Sequence, residues 1–222
     1  AHADTRSAAA RLARDLGLNF PDVAPVERGL HGETAAGGAS VDLRVARHPL
    51  LLLDGVEVVP STITIGAGHA MIVSGPNAGG KTVALKTLGL AALMLRAGLP
   101  VPAREGSLLS IVDVVLTDVG DDQNLSKNLS TFSAHVRNLA SILDETRPGA
   151  LVLLDELAGG TDPREGEALA AALLDSLCAR GGTVACTTHY EGLKALALGD
   201  TRFENASVGF DLATMSPTFR LV

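Results

Sequence analysis

Hydrophobic and polar positions along this chain follow two alternating periods. The runs Ala70-Met71-Ile72-Val73, Leu151-Val152-Leu153-Leu154 and Thr183-Val184-Ala185-Cys186-Thr187 have no charged face. A strand without a charged face is buried on both sides, as in a parallel sheet covered by helices. Val83 to Arg96, Phe132 to Arg147 and Pro163 to Arg180 place apolar residues at helical spacing instead. Pro148-Gly149 and Gly181-Gly182 supply stops for the last two. Val41 to Ala46 and Val56 to Ile65 alternate like strands, and Ile111 to Val119 reads as another. Glu191 to Leu198 predicts a short helix. Phe203 to Phe210 and Thr218 to Val222 predict strands around a turn at Ser216-Pro217. Strand and helix alternate through the middle of the chain. That order predicts an α/β fold with a mostly parallel sheet, helices on both faces and peripheral antiparallel strands.

The first residues read differently. Ala3 to Leu16 are alanine-rich with helical periodicity, and Gly17 to Ser40 are rich in Gly, Pro and Ala. The expected organisation is a helical tail of a preceding domain plus linker over residues 1–40, and one α/β domain over residues 41–222. The chain starts at Ala1 without Met and stops at Leu221-Val222 within a strand-like run, so it reads as an excised, C-terminally truncated piece.

Composition narrows the class. With 46% apolar residues in 222, the chain can build a core, and with 3% aromatics and no Trp that core is aliphatic. A net charge of −7 argues against this segment being a nucleic-acid surface by itself, and leaves DNA binding to other parts. Cys178 and Cys186 have no metal or redox spacing and read as buried free thiols in a reducing cytoplasm. No apolar run reaches membrane-spanning length, and the start does not resemble a signal peptide.

The candidate chemistry begins at Gly75-Pro76-Asn77-Ala78-Gly79-Gly80-Lys81-Thr82. It fits G-x-x-x-x-G-K followed by Ser or Thr, and it lies between a predicted strand and a predicted helix, the context this motif requires. Its glycines let successive N–H groups turn inward as a nest for phosphate oxygens, and the helix adds its positive dipole end. Lys81 supplies a point charge for the outer phosphates of ATP or ADP, and Thr82 a hydroxyl for Mg2+. A second site ends the next apolar strand at Asp155-Glu156. In open α/β sheets ligands bind at that end of the strands. Asp155 is expected to hold magnesium, through water, and Glu156 to orient or deprotonate an attacking water.

Between these two lies Gly120-Asp121-Asp122-Gln123, then Asn128-Leu129-Ser130-Thr131-Phe132-Ser133. The local sequence leaves two readings open. Ser130 or Ser133 caps the helix that follows, or the serine and the helix N-terminus form an anion site.

Taken together, these residues resemble the MutS family. Arg47-His48-Pro49 resembles its "RHP", Gly75-Pro76-Asn77-x-Gly79-Gly80-Lys81-Thr82 its "GPNxGGK" with Ser or Thr, and Ser130-Thr131-Phe132 its "STF". Asp155-Glu156-Leu157-x-x-Gly160-Thr161 resembles its "DExxxGT", and Thr188-His189-Tyr190 its "THY". Three details are similar to the recombination-suppressing bacterial paralogue branch, which lacks a mismatch-recognition domain: the long stretch from Asp121 to Ser130, Ser133-Ala134-His135 after the signature, and Asp162-Pro163 after Thr161.

The resemblance implies a phosphate-loop NTPase fold of the ABC-superfamily type and an ATPase head that hydrolyses ATP to ADP and phosphate. It implies that Ser130 acts in trans on a nucleotide held by the partner of a homodimer. It places His189 near the γ-phosphate and Thr161 and Asp162 at the subunit interface. Branched DNA or another nucleic acid would bind through domains outside these residues, as would a nuclease-like domain of larger members. The mismatch-repair branch stacks an aromatic on adenine ahead of the phosphate loop, whereas the matching stretch Glu57-Val58-Val59-Pro60 has none and offers only Val58 or Val59 as an expected packing surface. Two other readings stay open at this level: another ABC-type head, such as one for chromosome maintenance, and a nucleotide-gated dimerisation module without turnover.

Overall fold

A computed structural model describes residues 2–26, 40–76, 79–120, 128–159, 162–211 and 216–221. The expected contributions of Asn77, Ala78, Asp121 to Gln123, Gly160 and Thr161 lie outside the described residues, as do the side chains of Asn128 to Ala134. The elements in chain order are α1 (His2–Leu16), β1 (Asp22–Ala24), β2 (Val41–Ala46), α2 (Pro49–Leu53), β3 (Ser61–Ile65) and β4 (Ala70–Ser74). Then follow α3 (Lys81–Arg96), β5 (Leu108–Ser110), β6 (Val114–Asp118), α4 (Asn128–Glu145), β7 (Ala150–Leu154) and α5 (Pro163–Ala179). The chain closes with β8 (Thr183–Thr187), a 3-10 turn (Glu191–Ala195), α6 (Leu196–Gly199), β9 (Phe203–Asp211) and β10 (Ser216–Leu221).

Among the described residues the main sheet has six strands in the order β10-β9-β4-β8-β7-β6. All neighbours pair in parallel except β9 and β10, which are antiparallel. The uncharged, fully buried strands β4, β7 and β8 are its centre. Their side chains alternate between two cores, as the pleat requires. Met71, Val73, Leu151, Leu153 and Ala185 face one core with Leu85, Leu88, Ala92 and Leu95 of α3. Ala70, Ile72, Val152, Leu154, Val184 and Cys186 face the other, with Leu139 and Ile142 of α4 and Leu174 and Leu177 of α5. Helices therefore cover both faces, and each buried leucine contributes roughly 1.5–3 kcal/mol.

A smaller sheet, β1-β5-β2-β3, closes the α3 side, with Val41, Leu43, Ile63, Ile65 and Leu109 in the same core. Three of its strands differ from the sequence expectation. Leu108–Ser110 forms β5, and Asp22–Ala24, inside the expected linker, pairs with it in parallel. The strand expected from Val56 begins only at Ser61. Ser216 and Pro217 belong to β10 instead of forming a turn. β10 is an edge strand, where a residue without an N–H is tolerated. α4 starts at Asn128, so Ser130 sits inside its first turn and is not the residue before it.

The Arg47-His48-Pro49 segment proves to be a joint. The Arg47 Nη2 donates to the carbonyls of Leu16 (3.0 Å) and Gly17 (3.3 Å), where α1 ends. A cation there satisfies orphan carbonyls and meets the negative end of the helix dipole. His48 caps α2, its Nδ1 accepting from the Leu51 N–H at 3.3 Å. That bond needs an unprotonated Nδ1. Burial, with help from nearby Lys86, lowers the pKa of His48 and favours the neutral ring.

On the opposite side, α4 is tied to the sheet at Asp118. His135 Nδ1 lies 2.6 Å from one carboxylate oxygen, and Asn138 Nδ2 donates to the other at 2.9 Å. Burial opposes the charge on Asp118, but the bonds from His135 and Asn138 outweigh it and hold its carboxyl below the usual range. Cys178 and Cys186 are buried free thiols, each pushed up to about 12 by burial, and so are inert at neutral pH.

Candidate functional site

Three parallel strands deliver their C-terminal ends to one place. The register pairs Val73 with Thr187 and Leu154 with Cys186, so β4, β8 and β7 end at nearly the same level. Ser74 continues into the glycine loop, Leu154 into Asp155-Glu156, and Thr187 into Thr188-His189-Tyr190.

The glycine loop is shaped for close approach. Gly80 is the N-cap of α3 and holds a left-handed φ of 88°, which favours glycine. It brings no side chain to cap the helix, whereas His48 and Asp162 cap α2 and α5. Among the described residues no side chain therefore caps the N-terminus of α3, where the positive end of the helix dipole favours an anion. Gly79 has a different reason. A Cβ there would stand 2.8 Å from a methyl carbon of Val208 on β9, so β9 presses directly on the loop.

Lys81 is buried at 3% exposure, and its Nζ donates to the Gly75 carbonyl. Burial lowers its pKa, while the charges of Glu156 and Asp155 act in the opposite direction. The lysine head thus folds back onto the start of the loop.

The loop and the acid strand are joined although β8 separates β4 from β7. The Thr82 Oγ1 donates to Asp155 Oδ2 at 2.7 Å. Thr187 Oγ1 donates to the other carboxylate oxygen, Oδ1, at 2.5 Å, and accepts from the Glu156 N–H at 2.8 Å. The half-exposed Glu156 carboxylate meets His189, with Nε2 3.4 Å from Oε1. A hydroxyl and a carboxylate beside a phosphate nest are hard oxygen donors of the kind magnesium takes. Among the described residues no group of three or more His, Cys, Asp or Glu could hold a metal by itself. An ion at Thr82 and Asp155 would therefore complete its shell from phosphates and water.

The acid loop carries backbone strain. Glu156 and Ala158 have φ of 49° and 57°, left-handed values that non-glycine residues rarely adopt. The segment after β8 holds them. Leu157 N–H donates to the Thr187 carbonyl at 3.0 Å. Tyr190 donates its hydroxyl to the Ala158 carbonyl at 2.8 Å. The tyrosine ring end lies against Gly166 of α5, where a Cβ would overlap the hydroxyl and stand 2.9 Å from the Ala158 oxygen. Burial first, then the charges of Asp162 and Glu167, raise the Tyr190 pKa and keep it a donor.

A cavity of about 670 Å3 opens beside the start of α3. Leu51, Val59, Ile63, Val83 and Ala46 give it an apolar lining, and Glu57, Ser61, Thr82 and Thr87 add polar groups. Of the two valines expected to pack a base, Val59 lines this cavity. Asp162, expected at an interface, caps α5 by accepting from the N–H groups of Arg164 (2.9 Å) and Glu165 (3.4 Å).

The structure therefore brings together Gly75, Gly79, Gly80, Lys81, Thr82, Asp155, Glu156 and His189. Sequence reasoning gave no role to Thr187 or Val208, and none of its own to Tyr190, which it named only within Thr188-His189-Tyr190. The only signal for the first was a second threonine ahead of Thr188-His189.

The packing of Tyr190 on Gly166 yields a measurable expectation. Gly166→Ala should cost about 1–3 kcal/mol of stability, the range for an overpacked site. Tyr190→Phe should cost about 1 kcal/mol, for one hydrogen bond. Urea unfolding of both variants is the check, and wild-type stability for Gly166→Ala would mean the contact is not as close as described.

Comparison with known proteins identifies the family. The family described as MutS domain V matches residues 71–220. A protein named Endonuclease MutS2 from Anaeromyxobacter sp. (strain Fw109-5) is 50% identical over 98% of this chain and 27% of its own length. Proteins of that name from Thermomicrobium roseum and Pelotomaculum thermopropionicum are 47% and 51% identical, over 99% and 84% of this chain and 27% and 23% of their own lengths. The chain thus spans about a quarter of the length of these relatives. With a glycine loop, an acid pair and a histidine converging at the ends of three parallel strands, and with this match over most of its length, the chain belongs to the MutS family and corresponds to its ATPase domain.

Proposed function

We propose that this domain binds ATP with magnesium and hydrolyses it to ADP and phosphate, as the head of a MutS-type protein of the recombination-suppressing paralogue branch. The observation that carries the reading is the 2.7 Å bond from Thr82 to Asp155, which makes the glycine loop and the acid strand one site. The phosphates lie on the N–H groups of the loop and the first turn of α3, with Lys81 against the outer ones. The base and ribose extend toward the cavity lined by Val59, Ile63 and Val83. Thr82 and Asp155 would hold magnesium, which when bound would supply charge stabilisation to the transferring phosphoryl group. Glu156 accepts a proton from water or orients it, and His189, 3.4 Å away, holds the Glu156 carboxylate toward that water. Preorganised N–H groups and Lys81 then stabilise the developing charge without rearranging.

The second part of the proposal is a homodimer with composite sites, arranged as in ABC-type heads. Ser130 lies in the first turn of α4, and α4 is anchored to the sheet edge through Asp118, His135 and Asn138. In a two-fold dimer that turn of one chain would close on the nucleotide of the other. ATP would join two heads and hydrolysis release them, changing the grip of domains outside this chain on branched DNA or another nucleic acid. Any nuclease activity would likewise reside outside these residues.

Two variants separate binding from chemistry. Lys81→Ala should abolish ATP binding by calorimetry or weaken it severely. Glu156→Gln should bind ATP normally and lose turnover by roughly 10²-fold or more, the range for a lost general base. Near-normal turnover in Glu156→Gln would remove it from the base role.

The composite site has its own test. Lys81→Ala and Ser130→Ala proteins should each have low activity, and mixing them should restore part of it. A mixed dimer has one site with both residues intact. No recovery, together with full activity of Ser130→Ala alone, would contradict the trans role.

A further inference from the structure

One buried side chain touches both acids of the site and has no role in the reading above. Thr187 is the last residue of β8 and is fully buried. Its hydroxyl donates to Asp155 Oδ1 at 2.5 Å and accepts from the Glu156 N–H at 2.8 Å. A hydroxyl can donate and accept at once, and only Ser or Thr offers that at a position of this size. We propose that Thr187 is a positioning residue whose single hydroxyl sets the orientation of the Asp155 carboxylate and of the Glu156 backbone together. The proposal rests on the ATPase reading for its kinetic consequence.

Both ends of the argument are geometric. The Asp155 carboxylate has one oxygen fixed by Thr82 and the other by Thr187. Thr82 is the residue whose hydroxyl would turn to a metal. Thr187 is the partner that would keep the carboxylate plane in place when it does. The Glu156 backbone sits at a φ of 49°, a strained left-handed value that persists only where its surroundings hold it. The Thr187 hydroxyl holds its N–H, and the Thr187 carbonyl holds the next one, Leu157, at 3.0 Å. A threonine at this place therefore couples metal ligand and base through one atom. Without it the Glu156 amide loses its acceptor, the backbone can leave the left-handed region, and the carboxylate moves away from His189.

The test uses the whole chain with Thr187→Val, which keeps the shape and removes the hydroxyl, and Thr187→Ser, which keeps the hydroxyl. Hydrogen exchange of the Glu156 amide is followed first, without nucleotide. It should be about tenfold faster or more in Thr187→Val and near wild-type in Thr187→Ser, as expected for losing or keeping a charged hydrogen-bond network. Calorimetry with ADP, in magnesium and in EDTA, should show the same pattern. Thr187→Val should lose the affinity gained from magnesium and keep the magnesium-free affinity. In steady state kcat/KM for ATP with magnesium should fall about tenfold or more in Thr187→Val, with Thr187→Ser restoring it. Thr187→Ala serves if the valine variant does not fold. Slow exchange and a full magnesium gain in either hydroxyl-free variant would overturn the proposal, as would failure of Thr187→Ser to match wild type. Absence of turnover in the wild-type chain would sink the ATPase reading instead, and leave exchange and calorimetry to judge Thr187.

Discussion

One hydrogen bond, from the Thr82 hydroxyl to Asp155, spans the strand that separates the glycine loop from the acid strand. It can form only because β4, β8 and β7 end at one level and because β8 offers a hydroxyl there and not a bulkier group. The parallel register in turn depends on the helices. α3 fills one face, α4 and α5 the other, and the central strands between them send apolar side chains into both. Any slip by one residue would exchange the two cores, so the packing that stabilises the domain also fixes the site.

A second constraint is the tension in the acid loop. Glu156 and Ala158 are held in left-handed conformations, each costing on the order of 1–3 kcal/mol. The segment Thr187–Tyr190 opposes that strain with two side-chain hydroxyls and a backbone carbonyl. Glu156 and His189 meet because their two strand ends are bonded residue by residue. The same logic extends outward. Arg47 ties the end of α1 to the domain, and Leu51 of α2, which His48 caps, lines the cavity beside α3. The joint to α1 is therefore built from the same short segment that borders that cavity.

Much of this was legible in the sequence, and the remainder was not for physical reasons. The apolar runs and helical stripes announced the central strands and covering helices because burial on both faces leaves no other pattern. Spacing alone marked Gly75 to Thr82 and Asp155-Glu156, since strand, turn and helix must follow in that order. β1 and β5 were missed because three-residue strands carry no period, and Asp22–Ala24 lies in a Gly- and Pro-rich stretch. Pro217 suggested a turn, but an edge strand needs no N–H on its outer side. Thr187, Tyr190 and Val208 act through contacts with residues far away in the chain, at Asp155, Ala158 and Gly79. No local pattern encodes such contacts.

If the glycine loop and the acid strand are one site, Thr82 and Asp155 must act on the same ligand. A double-mutant cycle on the magnesium-dependent part of ATP affinity measures this most directly, using Thr82→Ala, Asp155→Asn and the pair. Each single variant should lose most of the magnesium increment, and the pair should lose little more. Losses that simply add, to within about 0.5 kcal/mol, would show two independent sites and contradict the account.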